Sequence, residues 1–113
     1  MLMTAAVVLF AGAASVGLTM AVLHFMGKSP PAMGLAMLHG LFVLPAFAVL
    51  WAALWPTFSG AAALALAIFG VAAIGGATMV LGWRAKPLPS ALVLIHGGVA
   101  LIGLAVLASA VLV

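Results

Sequence analysis

The stretch LAMLHG at residues 35–40 has a near copy, LVLIHG, at residues 92–97. Each copy places one histidine, His39 or His96, inside an apolar run, and each follows a turn that contains lysine and proline. Only 3% of the chain is charged, so few other polar groups are available. The arrangement of these two histidines therefore dominates the interpretation of both fold and function.

The composition excludes a water-soluble domain. The 113 residues are 70% hydrophobic and include three Lys or Arg but no Asp or Glu, so the chain cannot form a charged outer shell. A helix needs about 20 apolar residues to cross the hydrocarbon core, and the length therefore allows at most four or five crossings. The absence of carboxylates excludes a Ser-His-Asp hydrolytic site, and the absence of cysteine excludes thiolate metal sites.

Proline-containing turns divide the chain into four predicted helices. They are expected over residues 2–26, 31–54, 59–82 and 89–113, with Pro45 bending the second. The cations lie in two turns at one membrane face, and the tryptophans are typical of interface anchors; these residues are Lys28, Arg84 and Lys86, and Trp51, Trp55 and Trp83. The positive-inside rule predicts that the basic turns are cytoplasmic and both termini outside, and we expect a bacterial inner membrane.

An internal repeat relates the two halves of the chain. A spacing of 58 residues aligns the first helix and its turn with the third helix and its turn, and a spacing of 57 aligns the second helix with the fourth. The paired residues include Gly17 with Gly75, Lys28 with Lys86, Pro31 with Pro89 and His39 with His96. We interpret this as a duplicated hairpin whose copies share one orientation. The prediction is an all-α, integral membrane, up-down-up-down four-helix bundle. It forms a single transmembrane domain over 1–113, with repeats 1–57 and 58–113.

The repeat predicts that the two histidines meet across the bundle. In an up-down-up-down bundle the second and fourth helices are diagonal, and His39 and His96 lie at nearly the same depth along them. Two imidazoles so placed suit a flat metal macrocycle, and haem iron accepts histidine as an axial ligand. The alternative is a pair of hydrogen bonds between helices.

The predicted surroundings of this site are small residues and cations. Gly40 and Gly97 flank the histidines, and Ala100 and Gly103 follow His96 on the same helix face. Lys28, Arg84 and Lys86 have no carboxylate partner in the chain, which leaves them available for haem propionates, lipid phosphates or a partner subunit.

In these features the chain resembles the membrane cytochromes b, in which a four-helix bundle holds haem between histidines of two helices. The resemblance lies in His39-Gly40, His96-Gly97, the glycine-rich facing helices and the basic turns. It implies one haem b, held per chain or shared in a dimer, that exchanges electrons with quinone or a partner redox protein. A second haem would need two more ligands, and His24 has no counterpart in the other repeat.

Two other functions stay open. The chain could be a cofactor-free structural subunit of a larger membrane complex, or a His-based metal or proton conductor. An electron-transfer protein is favoured over a stand-alone enzyme. We expect His24, near the inner surface, to be solvated or adjacent to a propionate, with a quinone or proton site as the alternative.

Overall fold

A computed structural model describes residues 1–82 and 86–113 and has four long helices in that part of the chain. They are α1 (Leu2–Phe25), α2 (Met33–Leu54), α3 (Gly60–Gly82) and α4 (Ser90–Leu112). The predicted all-α four-helix bundle is confirmed. The predictions for Trp83 and Arg84 lie outside the described residues.

The helices are long and apolar enough to cross a bilayer. Each has 22–24 residues, and at 1.5 Å per residue this exceeds a hydrocarbon core of about 30 Å. Large apolar side chains cover the outside; they include Leu18, Leu41, Ile74 and Leu81. By length and composition all four helices could cross a membrane, as expected of an integral membrane protein with an apolar outer surface.

The helices α2 and α4 begin slightly later than predicted. Ala32 precedes α2 with φ −57° and ψ 139°, and Pro89 precedes α4 with φ −62° and ψ 127°. Proline fixes φ but leaves ψ free, so Pro89 stays extended instead of entering the first helical turn, and Pro31 also lies before its helix. Helix α2 continues through Pro45 without interruption, and its predicted bend stays a prediction.

The helices form a ring in chain order. Helix α1 packs along α2, α3 packs along α4, and the two hairpins join mainly through α1 and α4. Helices α2 and α3 make the least extensive contact between neighbours, while α2 and α4 lie diagonally. The ring places the two histidine-bearing helices opposite each other, as the repeat predicted.

The core lies at one end of the bundle, which we call the tryptophan end because Trp51 and Trp55 pack around Phe58 there. The rings of Phe10 and Phe69 stack at its centre with centroids 3.7 Å apart. The other buried side chains of this core are Ala6, Ala46, Leu50, Leu54, Ala62, Ala65 and Leu107. The opposite end, which carries Lys28 and Lys86, is called the basic end.

Burial corrects the repeat alignment of the first and third helices. Their buried residues correspond at a spacing of 59, not 58, whereas α2 and α4 correspond at 57 as predicted; the pairs are Ala6 with Ala65, Phe10 with Phe69, Ala13 with Ala72, and Leu50 with Leu107. The spacing of 58 came from the turn residues. A shift of one residue turns a helix face by about 100°, so only 59 places these side chains in the core together.

Candidate functional site

The structure brings His39 and His96 together at the basic end. Each is the seventh residue of its helix, so both lie about 9 Å from the helix start. Their ring centroids are 6.3 Å apart and their planes are inclined by 72°. The two diagonal helices thus direct one imidazole each into the same region, at equal depth.

Each imidazole is fixed by the backbone of its own hairpin partner. Nδ1 of His39 donates to the Ala13 carbonyl of α1 at 2.9 Å, and Nδ1 of His96 donates to the Ala72 carbonyl of α3 at 2.8 Å. A carbonyl can only accept, so the proton of each neutral ring lies on Nδ1 and the lone pair lies on Nε2. Within residues 1–82 and 86–113, neither Nε2 has a hydrogen-bond partner.

Two glycines make room for these rings. A Cβ atom at Gly17 would lie 3.3 Å from Cε1 of His39, and a Cβ atom at Gly76 would lie 3.0 Å from Cε1 of His96. These positions correspond at the corrected spacing of 59. The repeat predicted from the sequence pairs Gly17 with Gly75. The corrected repeat is the signal that identifies Gly76 as the equivalent residue.

The four small residues predicted around the histidines occupy different environments. Ala100 lines a cavity beside His39. Gly103 lies deeper, where an added Cβ would meet the Phe69 ring at 3.1 Å, so it admits an aromatic core residue. An added Cβ at Gly40 or Gly97 would meet nothing within 4 Å. These two glycines border open space next to the candidate ligands His39 and His96.

The cavity beside His39 is small. It has a volume of about 60 Å³ and receives residues from all four helices, among them Phe10, Val43, Phe69 and Ala100. Ligand pockets have volumes of about 300–1,000 Å³. A macrocycle between the histidines therefore requires the basic end to open beyond the spacing seen here.

His24 links the two hairpins. Its Nε2 lies 2.9 Å from Oγ of Ser90, the first residue of α4, and its Nδ1 is shielded from solvent without a partner among the described residues. A second link follows nearby, where the Leu88 N–H donates to Oγ of Ser29 at 2.9 Å. The bond to Ser90 was not predicted, because residues 66 positions apart give no local pattern.

Two of the three cations predicted to serve this site lie in the turns at the basic end, which form its rim. Lys28 and Lys86 are exposed at the basic end, and the chain has no Asp or Glu to pair with them. Arg84 lies outside the described residues. The rim therefore carries positive charge at the same end of the bundle as the two imidazoles.

The donor set distinguishes between kinds of metal centre. No group of three or more His, Cys, Asp or Glu converges in residues 1–82 and 86–113. A bare transition-metal ion usually takes three or four protein ligands, whereas a metal macrocycle fills the equatorial positions and needs only axial ligands. The arrangement of His39 and His96 fits the second kind.

Comparisons of the chain with protein-family models, with curated proteins and with solved structures gave no match. The function is therefore argued from the geometry of the histidine pair.

Proposed function

We propose that the protein is a small membrane b-type cytochrome that holds one haem b between Nε2 of His39 and Nε2 of His96. The observation that carries the proposal is the matched pair of Nδ1-to-carbonyl bonds, to Ala13 and Ala72. Histidines that ligate metals almost always donate their second ring N–H to a carbonyl, a carboxylate or water, which fixes the tautomer and orients the ring. Both imidazoles make this second hydrogen bond.

The unequal packing of the bundle supports the proposal. The aromatic and leucine core lies at the tryptophan end, while α1 and α3 present Ala13, Gly17, Ala72 and Gly76 near the histidines. Helices with small side chains can separate without exposing a packed core. The basic end can therefore widen around a macrocycle while the tryptophan end keeps the bundle together.

The rim supplies the polar contacts that such a group needs. Lys28 and Lys86 would attract propionates, with Arg84 as a third cation from the same turns. By the positive-inside rule these turns face the cytoplasm, and both termini lie outside, in a bacterial inner membrane. The group would then sit in the inner leaflet, below a cationic rim.

Bound between the histidines, haem b supplies a one-electron couple. Because His39 and His96 would both hold the iron, the site would favour electron transfer over gas binding or oxygenase chemistry. Exchange would take place with quinone, a partner redox protein or a second copy of the chain, within an oligomer or a larger redox complex.

Three single substitutions test this assignment. His39→Ala and His96→Ala should each abolish the low-spin b-type spectrum of protein supplied with haemin, because each removes one axial ligand. His24→Ala is the matched control, since it removes a histidine at the same end and should leave the spectrum intact. Equal spectra from all three variants would contradict the assignment.

One observation favours a second function. The bonds to Ala13 and Ala72 already join helices within each hairpin, and the cavity of about 60 Å³ is small, as expected of a cofactor-free subunit of a larger complex. That function predicts that His39→Ala weakens the fold of protein that never binds haemin. Optical spectra after haemin addition separate the two proposals.

A further inference from the structure

The two seams that join the hairpins differ, although the repeat would make them alike. Helices α1 and α4 pack closely, and His24 and Ser90 link them at the basic end. Helices α2 and α3 pack least of all neighbours in the ring. The bundle is therefore more open on the α2–α3 side.

The α2–α3 seam is closed at the tryptophan end. Phe47 of α2 and Phe69 of α3 lie with their ring centroids 6.4 Å apart. Leu50 and Leu54 of α2 are buried there, as is Ala65 of α3. This half of the seam belongs to the core.

The same seam is open at the basic end. Ala73 and Val80 follow Phe69 on one face of α3, yet Ala73 is exposed and Val80 is 56% exposed. On α2, Gly40 shares a face with Phe47 and leaves room for an added Cβ, as Gly97 does on α4, so the two seams differ in how far α3 and α1 are covered. The seam therefore widens beside His39.

The equivalent positions on the other side are covered. At the spacing of 59, Ala73 and Val80 correspond to Ala14 and Ala21 of α1, and both are half-buried. The cavity beside His39 is lined by both Ala14 and Ala73. Because only Ala73 of these two is exposed, the cavity that reaches His39 is more open towards the α2–α3 seam.

We propose that the α2–α3 seam at the basic end is a lateral portal through which haem reaches His39 and His96 from the lipid. The inference rests on the proposed function. The walls of the portal are apolar, as the entry of an apolar macrocycle from a bilayer requires. Lys28 and Lys86 at the basic end match the negative charge of the propionates. The closed half of the seam acts as the fixed end about which α2 and α3 separate.

A matched pair of variants tests the portal. Gly40→Phe fills the open seam, whereas Gly34→Phe places the same ring at an exposed position of the same helix, where an added Cβ also meets nothing within 4 Å. With reconstituted apo-protein and haemin, Gly40→Phe should slow uptake severalfold, and Gly34→Phe should follow wild type. Circular dichroism and the final spectral amplitude verify that both variants fold and can bind.

A cross-link gives a second measurement that needs no bulky residue. The chain has no cysteine, so Gly40→Cys with Ala73→Cys can be joined by a bismaleimide, and His24→Cys with Ser90→Cys, a pair in contact across α1 and α4, serves as control. Closing the α2–α3 pair before haemin is added should prevent uptake, and closing it afterwards should trap the bound haemin. Closing the control pair should do neither.

The outcomes separate the two proposals. Equal uptake by Gly40→Phe and Gly34→Phe, or unimpeded uptake by the protein cross-linked across α2 and α3, overturns the portal but leaves the haem site standing. Failure of wild type to bind haemin overturns both.

Discussion

The two ends of this bundle are built from the same four helices but differ in packing. At the tryptophan end, stacked Phe10 and Phe69 and fully buried Leu50 and Leu107 fill the space between the helices. At the basic end, the corresponding space holds two imidazoles, small side chains and an open seam. The difference indicates that one end supplies stability and the other supplies the site, so substitutions at the two ends should have separable effects.

Removing a core side chain at the tryptophan end should give the largest loss of stability. Leu50→Ala should lower the free energy of unfolding by roughly 2 kcal/mol, the low end for such changes, because lipid is as apolar as the core and mainly packing is lost. SDS titration followed by circular dichroism measures this. The haemin-bound spectrum should persist.

Leu44→Ala is the control for this substitution, because Leu44 lies on the same helix and is 73% exposed. It should leave stability unchanged. If Leu50→Ala removed haemin binding while the bundle kept its stability, the separation between the two ends would be wrong.

Crowding a ring at the basic end should have an intermediate effect, on binding instead of stability. Gly76→Ala places a Cβ 3.0 Å from Cε1 of His96, so the imidazole must shift from the orientation that its bond to Ala72 sets. The Kd for haemin should rise severalfold, because a displaced ring presents its Nε2 atom less favourably. Optical titration measures the change.

Gly70→Ala provides the matched control on α3, since an added Cβ there meets nothing within 4 Å. Both variants gain the same helix propensity, so a difference in Kd reports the contact with His96. Equal affinities would show that the imidazole does not depend on Gly76.

Breaking the link between hairpins should have the smallest effect. His24→Ala, Ser90→Ala and the double variant form a thermodynamic cycle, and the coupling energy should be about 0.6 kcal/mol, the average for hydrogen bonds between membrane helices. The haemin spectrum should be the same throughout. A spectrum that changed with Ser90→Ala would assign His24 to the site and contradict its role as a link.

The apolar segments and the repeat were sufficient to predict the four helices, the ring order and the meeting of His39 with His96. The predicted alignment of the first helix with the third was wrong by one residue, because it was based on the turn residues Lys28 and Pro31. Burial depends instead on the helix face that carries Phe10. The bonds to Ala13 and Ala72 could not be predicted, since every residue offers a carbonyl. The open α2–α3 seam could not be predicted either, because the residues of both seams have similar compositions.

The central claim is that two backbone-oriented imidazoles present their Nε2 atoms to one metal macrocycle. Titration of purified protein with haemin, followed by reduced-minus-oxidised spectra, tests this most directly. The account predicts saturation at one haemin per chain, or per pair of chains if a dimer shares the site, with sharp low-spin b-type bands. Protein that stays colourless after haemin is added, or that binds it only in a high-spin form, would contradict it.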